Sequence, residues 1–353
     1  MTASLPFTGE RFTPEARGAI WYEHWHRYCV ALPAVPGKRV LDAACGEGYG
    51  SWLLAGAAAE VVGVDIDDAA IAHAAGRYAA RSNLRFVSGS CDALPFDDAS
   101  VDRVISFETI EHLSNQTAML AEFRRVLVPD GALILSSPNK VVYSGESGNE
   151  NHFHVRELDR GELETMLGAR FPQQHWYGQR ALAHSLLWRE GGTGLRGAEL
   201  IALVDDRVEV QNVPAPAMYF VVVCGGSRAE LPELPALSIF DDGALSLYHD
   251  YERALLAEKR LFWDEVDARK IAEARLAELV VAVNDLASSR EREEAVSLRA
   301  VSLDAELERM QKALSQVSGA FDETAARLAY RESWRGWSRW PLGRARRLFR
   351  GRG

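Results

Sequence analysis

Apolar and polar positions follow two different rhythms along the chain, and the change falls near residue 230. From Lys38 to about Gly226, short runs rich in Val and Ile alternate with stretches of helical spacing. Buried parallel strands joined by helices give this pattern, because a strand covered on both faces becomes continuously apolar. The runs predict strands at Arg39–Asp42, Glu60–Asp65, Leu84–Ser88, Val101–Phe107 and Ala132–Ser136, with two more near His175–Gln179 and Met218–Cys224. A stretch over about 180–212, with "REGGTGLRGAEL", separates the last two and reads as a surface excursion. Ahead of the first strand, "IWYEHWHRY" is too polar for core and too aromatic for a plain tail, and predicts a helix over the sheet edge.

The second rhythm follows "SRAELPELPALS", whose prolines and polar residues read as a linker. Glu, Arg, Ala and Leu dominate from about Tyr248 to Leu328, with no proline between Pro235 and Pro341. Leu303, Leu307, Met310, Leu314, Val317 and Phe321 alternate steps of four and three, the spacing of a heptad seam. An earlier seam through Leu255, Phe262, Leu276 and Val283 is interrupted by Arg269, and register is lost at "SSREREEAVS". One or two long helices follow, either a broken coiled coil or a solvated helical spacer. The expected division is 1–36, a lid or cap; 37–226, the α/β domain; 227–247, a linker; 248–330, the helical region; and 331–353, a basic aromatic tail.

Charge sharpens that division. The net charge is −10, yet the last 23 residues hold eight arginines and one glutamate, so the remainder sums to about −17. Four scattered cysteines without a C-x-x-C pair argue against a disulfide framework or zinc knuckle and fit a reducing cytosol. No run reaches membrane-spanning length, and "MTASLPFTGERF" lacks the apolar core of a signal peptide. The expectation is a cytoplasmic protein, at most peripheral at an inner membrane.

Candidate chemistry begins at the first strand-helix turn, "LDAACGEGYG", where a parallel sheet brings a nucleotide-like ligand closest. Gly46, Gly48 and Gly50 let backbone approach a ligand, and Gly46 can take a positive φ. The spacing is G-x-G-x-G, not the G-x-G-x-x-G of dinucleotide folds, which disfavours an NAD enzyme. Asp42, four residues before Gly46, would repel a pyrophosphate but suit a cofactor carrying an ammonium and a sulfonium. Asp65, ending "VVGVDID", can accept hydrogen bonds from ribose hydroxyls, and in "GSCDALPF" Asp92 can meet an adenine amino group, with Leu94 or Ile66 against its ring.

These motifs, with "LVPDGALILSSPN" after them, resemble the class I S-adenosylmethionine-dependent methyltransferases over about residues 38–226. The resemblance implies a Rossmann-like, seven-stranded α/β domain and S-adenosylmethionine (SAM) as cofactor. By that resemblance Asp42 and Gly46 would contact its methionine portion, Asp65 the ribose and Asp92 the adenine, with Leu94 or Ile66 against the adenine ring and Gly48 also at the cofactor. "FTGERFTPEARGAIWYEHWHRYCVA" and "SSPNKVVYSGESGNENHFHVREL" look like bacterial methyltransferases found with polysaccharide and O-antigen assembly. That narrower likeness implies a glycan or nucleotide-sugar acceptor and glycosyltransferase or polysaccharide-assembly partners. A quinone or other small metabolite is the alternative acceptor, and a coiled-coil scaffold with a retained methyltransferase domain is the non-enzymatic alternative.

Methylating an oxygen requires help to remove its proton. "FETIEHL" places Glu108, Glu111 and His112 after the fourth strand. This is similar to metal-dependent RNA 2′-O-methyltransferases and ubiquinone-pathway O-methyltransferases, which implies a Mg²⁺ or Mn²⁺ held by Glu108, Glu111, His112 and His152 or His154 of "NHFH". Without metal, His112 or His154 would be general base beside Glu108. His24 and His26 are expected to pack or to belong to a lid, and Glu10 with Arg11 to close over the cofactor or to pair with each other. In the tail, Trp334, Trp337, Trp340, Leu348 and Phe349 stand among the arginines, a composition that suits an anionic lipid surface or no partner at all. The acidic remainder and the lack of a nucleic-acid module argue against nucleic acid. The helical region implies a homo-oligomer.

Overall fold

The computed structural model describes residues 18–146, 151–182, 200–204, 207–211, 215–241, 246–288 and 293–332. They belong to two compact units divided between Ala244 and Leu245.

Unit 1 is a seven-stranded sheet. Its strands are β1 (Arg39–Ala43), β2 (Glu60–Asp65), β3 (Leu84–Ser88), β4 (Val101–Ser106), β5 (Leu127–Pro138), β6 (Gln173–Gln179) and β9 (Tyr219–Gly225), in spatial order β3-β2-β1-β4-β5-β9-β6. The first five run parallel, while β9 is antiparallel to both β5 and β6. All seven expected strands are present, but the sheet is mixed because β9 inserts between β5 and β6. The excursion also contains a hairpin, β7 (Leu200–Val204) with β8 (Arg207–Gln211), which forms a separate two-stranded sheet.

Both faces of the large sheet are covered, and strand alternation assigns the side chains. Leu133, Leu135, Val222 and Cys224 join one core with Met119, Leu120 and Phe123 of α4 (Gln116–Val126) and Leu163 and Leu167 of α5 (Arg160–Gly168). Ile134, Val221 and Val223 join the other, with Tyr28 and Ala31 of α1 (Ala19–Ala31) and Tyr49 and Leu54 of α2 (Tyr49–Leu54). Helix starts follow local chemistry. Asp67 caps α3 (Asp68–Arg77) by accepting from the Ala69 and Ala70 amides, and Asp159 and Glu162 form a capping box on α5.

Two segments expected at the margin are built into this unit. Helix α1 buries Glu23, Arg27 and Tyr28, polar groups that the sequence pattern placed outside the core. The stretch read as a linker runs against the same helix: His26 Nε2 lies 2.9 Å from Ser238 Oγ, and Phe240 packs on Trp21, Tyr22 and His26. Leu234 is buried, and its amide donates to Tyr177 Oη at 3.1 Å. An aromatic surface already present on α1 gives the proline-containing chain an apolar bed.

Unit 2 consists of α6 (Ser246–Ser288) and α7 (Glu293–Glu332). The lost heptad register marks the break between them. Four residues reach only about 18 Å, whereas α6 is roughly 65 Å long, so the helices run antiparallel. Phe262 meets Phe321 at 5.0 Å between ring centroids, so residues from the two predicted seams face each other within one chain. Leu279 is buried, and Thr324 Oγ1 donates to Glu265 Oε1 at 3.2 Å. Residues 1–17 and 333–353, with Glu10, Arg11 and the tail tryptophans, lie outside the described residues.

Candidate functional site

The carboxyl ends of β1 and β2 and the turn after β3 carry the first group of site residues. Asp42, near the end of β1, is fully buried and accepts from Tyr28 Oη at 3.0 Å and Ser51 Oγ at 2.6 Å. Burial pushes its carboxyl up to about 7, against the opposing pull of those two hydroxyls. Asp65 ends β2, and its oxygens accept from the Gly46 amide at 2.8 Å and the Asp67 amide at 3.0 Å. The glycine turn is therefore tied to the second strand through Asp65 itself.

Two of the three glycines answer to packing. A Cβ on Gly50 would stand 2.0 Å from the Tyr28 ring, and one on Gly48 would stand 2.7 Å from Phe86, where φ is also +88°. Gly46 has φ 53°, the left-handed conformation expected of it. Between them, Glu47 is buried against His73 (3.2 Å), Arg77 (2.7 Å) and the Tyr78 hydroxyl (3.0 Å), which locks the turn to α3.

At the adenine end, Ile66 is 77% exposed while Leu94 is 5% exposed and belongs to the core, so Ile66 is the ring face available. Asp92 is exposed and accepts from Ser90 Oγ at 2.5 Å.

A second group lies past β4. Glu108 adopts φ 52°, strained for a residue with a Cβ, and Ser136 Oγ holds it by accepting from its amide at 3.0 Å and donating to its carboxylate at 2.7 Å. Glu111 is 0% exposed, and neither carboxylate oxygen has a hydrogen-bond partner. Desolvation, reinforced by Glu108, pushes its carboxyl well above the usual range.

Around Glu111 stand two imidazoles whose rings pack edge to face at 4.9 Å. His112 Nδ1 bonds the Phe153 carbonyl at 3.0 Å, which directs Nε2 to Glu111 Oε1 at 3.9 Å. His154 Nδ1 bonds Glu157 Oε1 at 2.6 Å, and Asn151 Nδ2 donates to its Nε2 at 2.9 Å. Backbone joins the two loops, since the Glu111 carbonyl accepts from the amides of Val155 (2.8 Å) and Arg156 (3.0 Å).

Of the residues expected to hold a metal, the fold gathers Glu111, His112 and His154, whose donor atoms lie within 4.8 Å of one another. That separation suits a single ion. Glu108 belongs instead to Ser136 and Arg27, and His152 is exposed outside the trio. His24 and His26 sit among aromatics; burial holds both imidazoles below their ordinary range. Sequence reasoning missed Glu23, Arg27, Glu157 and Tyr219. Glu23 and Arg27, one helical turn apart among aromatics, were the available signal.

Residues 41–135 match the family model described as "Methyltransferase domain". The seven-stranded mixed sheet of unit 1, with helices on both faces, is like that of Rossmann-like methyltransferases. A Mycolicibacterium smegmatis protein named as a probable S-adenosylmethionine-dependent methyltransferase is 40% identical over 173 residues, 47% of this chain and 65% of that protein. A demethylmenaquinone methyltransferase from Beutenbergia cavernae is 38% identical over 113 residues, 32% of this chain and 46% of its own length. The crystal structure of YcgJ from Bacillus subtilis aligns with a TM-score of 0.39 at 26% identity, over 44% of this chain and 70% of that one. The chain thus spans less than two thirds of the curated relatives it matches.

Proposed function

We propose that this protein transfers the methyl group of SAM to an oxygen of a glycan intermediate. The observation that carries the reading is the placement of Asp42 and Asp65 at the ends of adjacent strands, beside a turn whose backbone amide is fixed by Asp65. The residues fit the cofactor: Asp42 is a buried carboxylate with lone pairs for an ammonium, and Asp65 lies one strand over for the ribose. The exposed Ile66 lies beyond it for the adenine. Transfer then needs the acceptor hydroxyl in line with the sulfonium methyl and relieved of its proton.

Glu111, His112 and His154 could together hold a divalent ion: both buried Glu111 oxygens lack a hydrogen bond and both imidazoles spend Nδ1 on outer acceptors, although His154 Nε2 would have to exchange the Asn151 amide for the ion. Two imidazoles with one carboxylate suit Mn²⁺ better than Mg²⁺. Bound there, such an ion would lower the pKa of a coordinated hydroxyl. Without it, His112 Nε2 takes the acceptor proton while Nδ1 stays on the Phe153 carbonyl.

Support for a glycan comes from the likeness of the N-terminal and "NHFH" stretches to polysaccharide-associated methyltransferases. A quinone acceptor is the second reading, favoured by the similarity to a demethylmenaquinone methyltransferase. We further propose that unit 2 mediates self-association and that the arginine-tryptophan tail holds the enzyme against anionic lipid beside its assembly partners. No helix among the described residues is long and apolar enough to cross a membrane.

The test is transfer of labelled methyl from SAM into nucleotide-sugar, lipid and polysaccharide fractions, with EDTA and with added Mn²⁺ or Mg²⁺. Label in a saccharide fraction is expected. Label confined to a quinone would overturn the acceptor, and no label despite cofactor binding would move the function to the scaffold.

A further inference from the structure

Arg27 is a buried cation whose hydrogen-bonding capacity is mostly unspent. Its side chain is 1% exposed, and neither Nη1 nor Nη2 has a hydrogen-bond partner. The guanidinium is nevertheless held in place. Nε donates to Gln179 Oε1 at 2.6 Å, and the group lies over the Tyr219 ring at 4.4 Å. Gln179 is itself fixed, donating from Nε2 to the Glu23 carbonyl at 2.9 Å. Leaving guanidinium N–H donors without hydrogen bonds in a low-dielectric interior is unfavourable, so a group positioned this firmly implies a further partner.

Glu108 does not fill that role. Its carboxylate stands 3.6 Å from Nη1 without a hydrogen bond and already accepts from Ser136. Glu23, on the same helix face, is buried, and burial pushes its carboxyl up to about 7, so it supplies at most a fraction of a charge near neutrality. Tyr219 offers its ring face.

Location decides which ligand. The groups that fix Arg27 come from β6 and β9, which lie beyond β5, on the opposite side of β1 from the ribose acid Asp65 on β2. Glu108 connects the guanidinium to the turn carrying Glu111 and His112. Arg27 therefore borders the acceptor half of the site. Two adjacent Nη groups form a planar fork that matches a carboxylate or a phosphate.

We propose that Arg27 binds an oxyanion of the acceptor, so that the molecule methylated is acidic, carrying a carboxylate or phosphate beside its reacting hydroxyl. The inference rests on the methyltransferase reading, and the experiment separates the two. Full-length protein saturated with S-adenosylhomocysteine is titrated with inorganic phosphate and with D-glucuronate, using glucose and sodium chloride at matched ionic strength as controls. Affinity is read by calorimetry and by the shift in Tm.

Phosphate or glucuronate is expected to bind together with S-adenosylhomocysteine. The affinity should fall at least tenfold in Arg27→Gln, with S-adenosylhomocysteine affinity changed less than twofold. Arg27→Lys, which keeps the charge without the fork, should show the same loss and serves if the glutamine variant does not fold. Anion binding that persists in both variants belongs to other arginines and overturns the proposal, as does no anion binding in the wild type. Loss of S-adenosylhomocysteine affinity in Arg27→Gln, with 5′-methylthioadenosine affinity unchanged, would assign the guanidinium to the cofactor's own carboxylate and overturn the acceptor assignment. If S-adenosylhomocysteine fails to bind the wild type, the methyltransferase reading itself falls.

Discussion

The role proposed for Asp42 makes cofactor binding a proton-linked event. In the ligand-free protein its carboxyl is raised to about 7 by complete burial, so near pH 6 it is mostly protonated. An incoming α-ammonium requires the carboxylate, so binding below that value must expel a proton. With a free-protein value of about 7, roughly 3% of the molecules carry the carboxylate at pH 5.5 and about half at pH 7, which makes affinity rise on the order of 15-fold, between 1 and 2 kcal/mol. The ligand's own α-amino group titrates only at about 7.7–8.0 and does not distort this window. The assay is calorimetric titration of S-adenosylhomocysteine from pH 5.5 to 7 in buffers of differing ionisation enthalpy. Close to one proton should be released per site at pH 6, and none in Asp42→Asn. The same shift has a second consequence. Between pH 3.8 and about 7 the folded state holds a proton that the unfolded chain has lost, so Asp42 makes the free protein less stable as pH rises, by on the order of 4 kcal/mol across the window. The Asp42→Asn substitution should remove that slope. An affinity that stays flat from pH 5.5 to 7, with no proton release, would refute the assignment of Asp42 as a buried, neutral acid awaiting a cation.

Three other expectations test separate parts of the molecule. Glu157→Gln, which disturbs the group orienting His154 at 2.6 Å, should weaken Mn²⁺ binding about 10–100-fold as followed by electron paramagnetic resonance; unchanged binding would remove the trio as an ion site. Gly50→Ala drives a methyl to within 2.0 Å of the Tyr28 ring and should cost about 1–3 kcal/mol in thermal or urea unfolding, with loss of the Tyr28–Asp42 hydrogen bond; an unaltered Tm would show that Gly50 is not kept for packing. Full-length protein should float with anionic liposomes and a variant ending at Tyr330 should not, whereas equal flotation would exclude the tail from membrane contact.

Period-two alternation and the 3.6-residue rhythm are local properties, set by which face of each element meets the core. They located all seven strands of the sheet and the long helical region, read as one or two helices, and Asp42 and Asp65 could be placed at strand ends, with Asp92 just past the third strand, because chain order fixes where a strand stops. Antiparallel insertion of β9 could not be read that way, since strand pairing depends on contacts among residues far apart in the chain. Nor could the burial of Glu23 and Arg27, whose polarity pointed to solvent until Gln179 and Tyr219, more than 150 positions away, enclosed them. His154 rather than His152 stands beside Glu111 for the same reason: two histidines two residues apart are equivalent in sequence, and only hydrogen bonds to Asn151 and Glu157 choose between them. Local pattern was enough for the elements and for the acids at their ends. Which buried charges meet was left to the folded chain, because the desolvation and distance that govern a charge are properties of its surroundings in space.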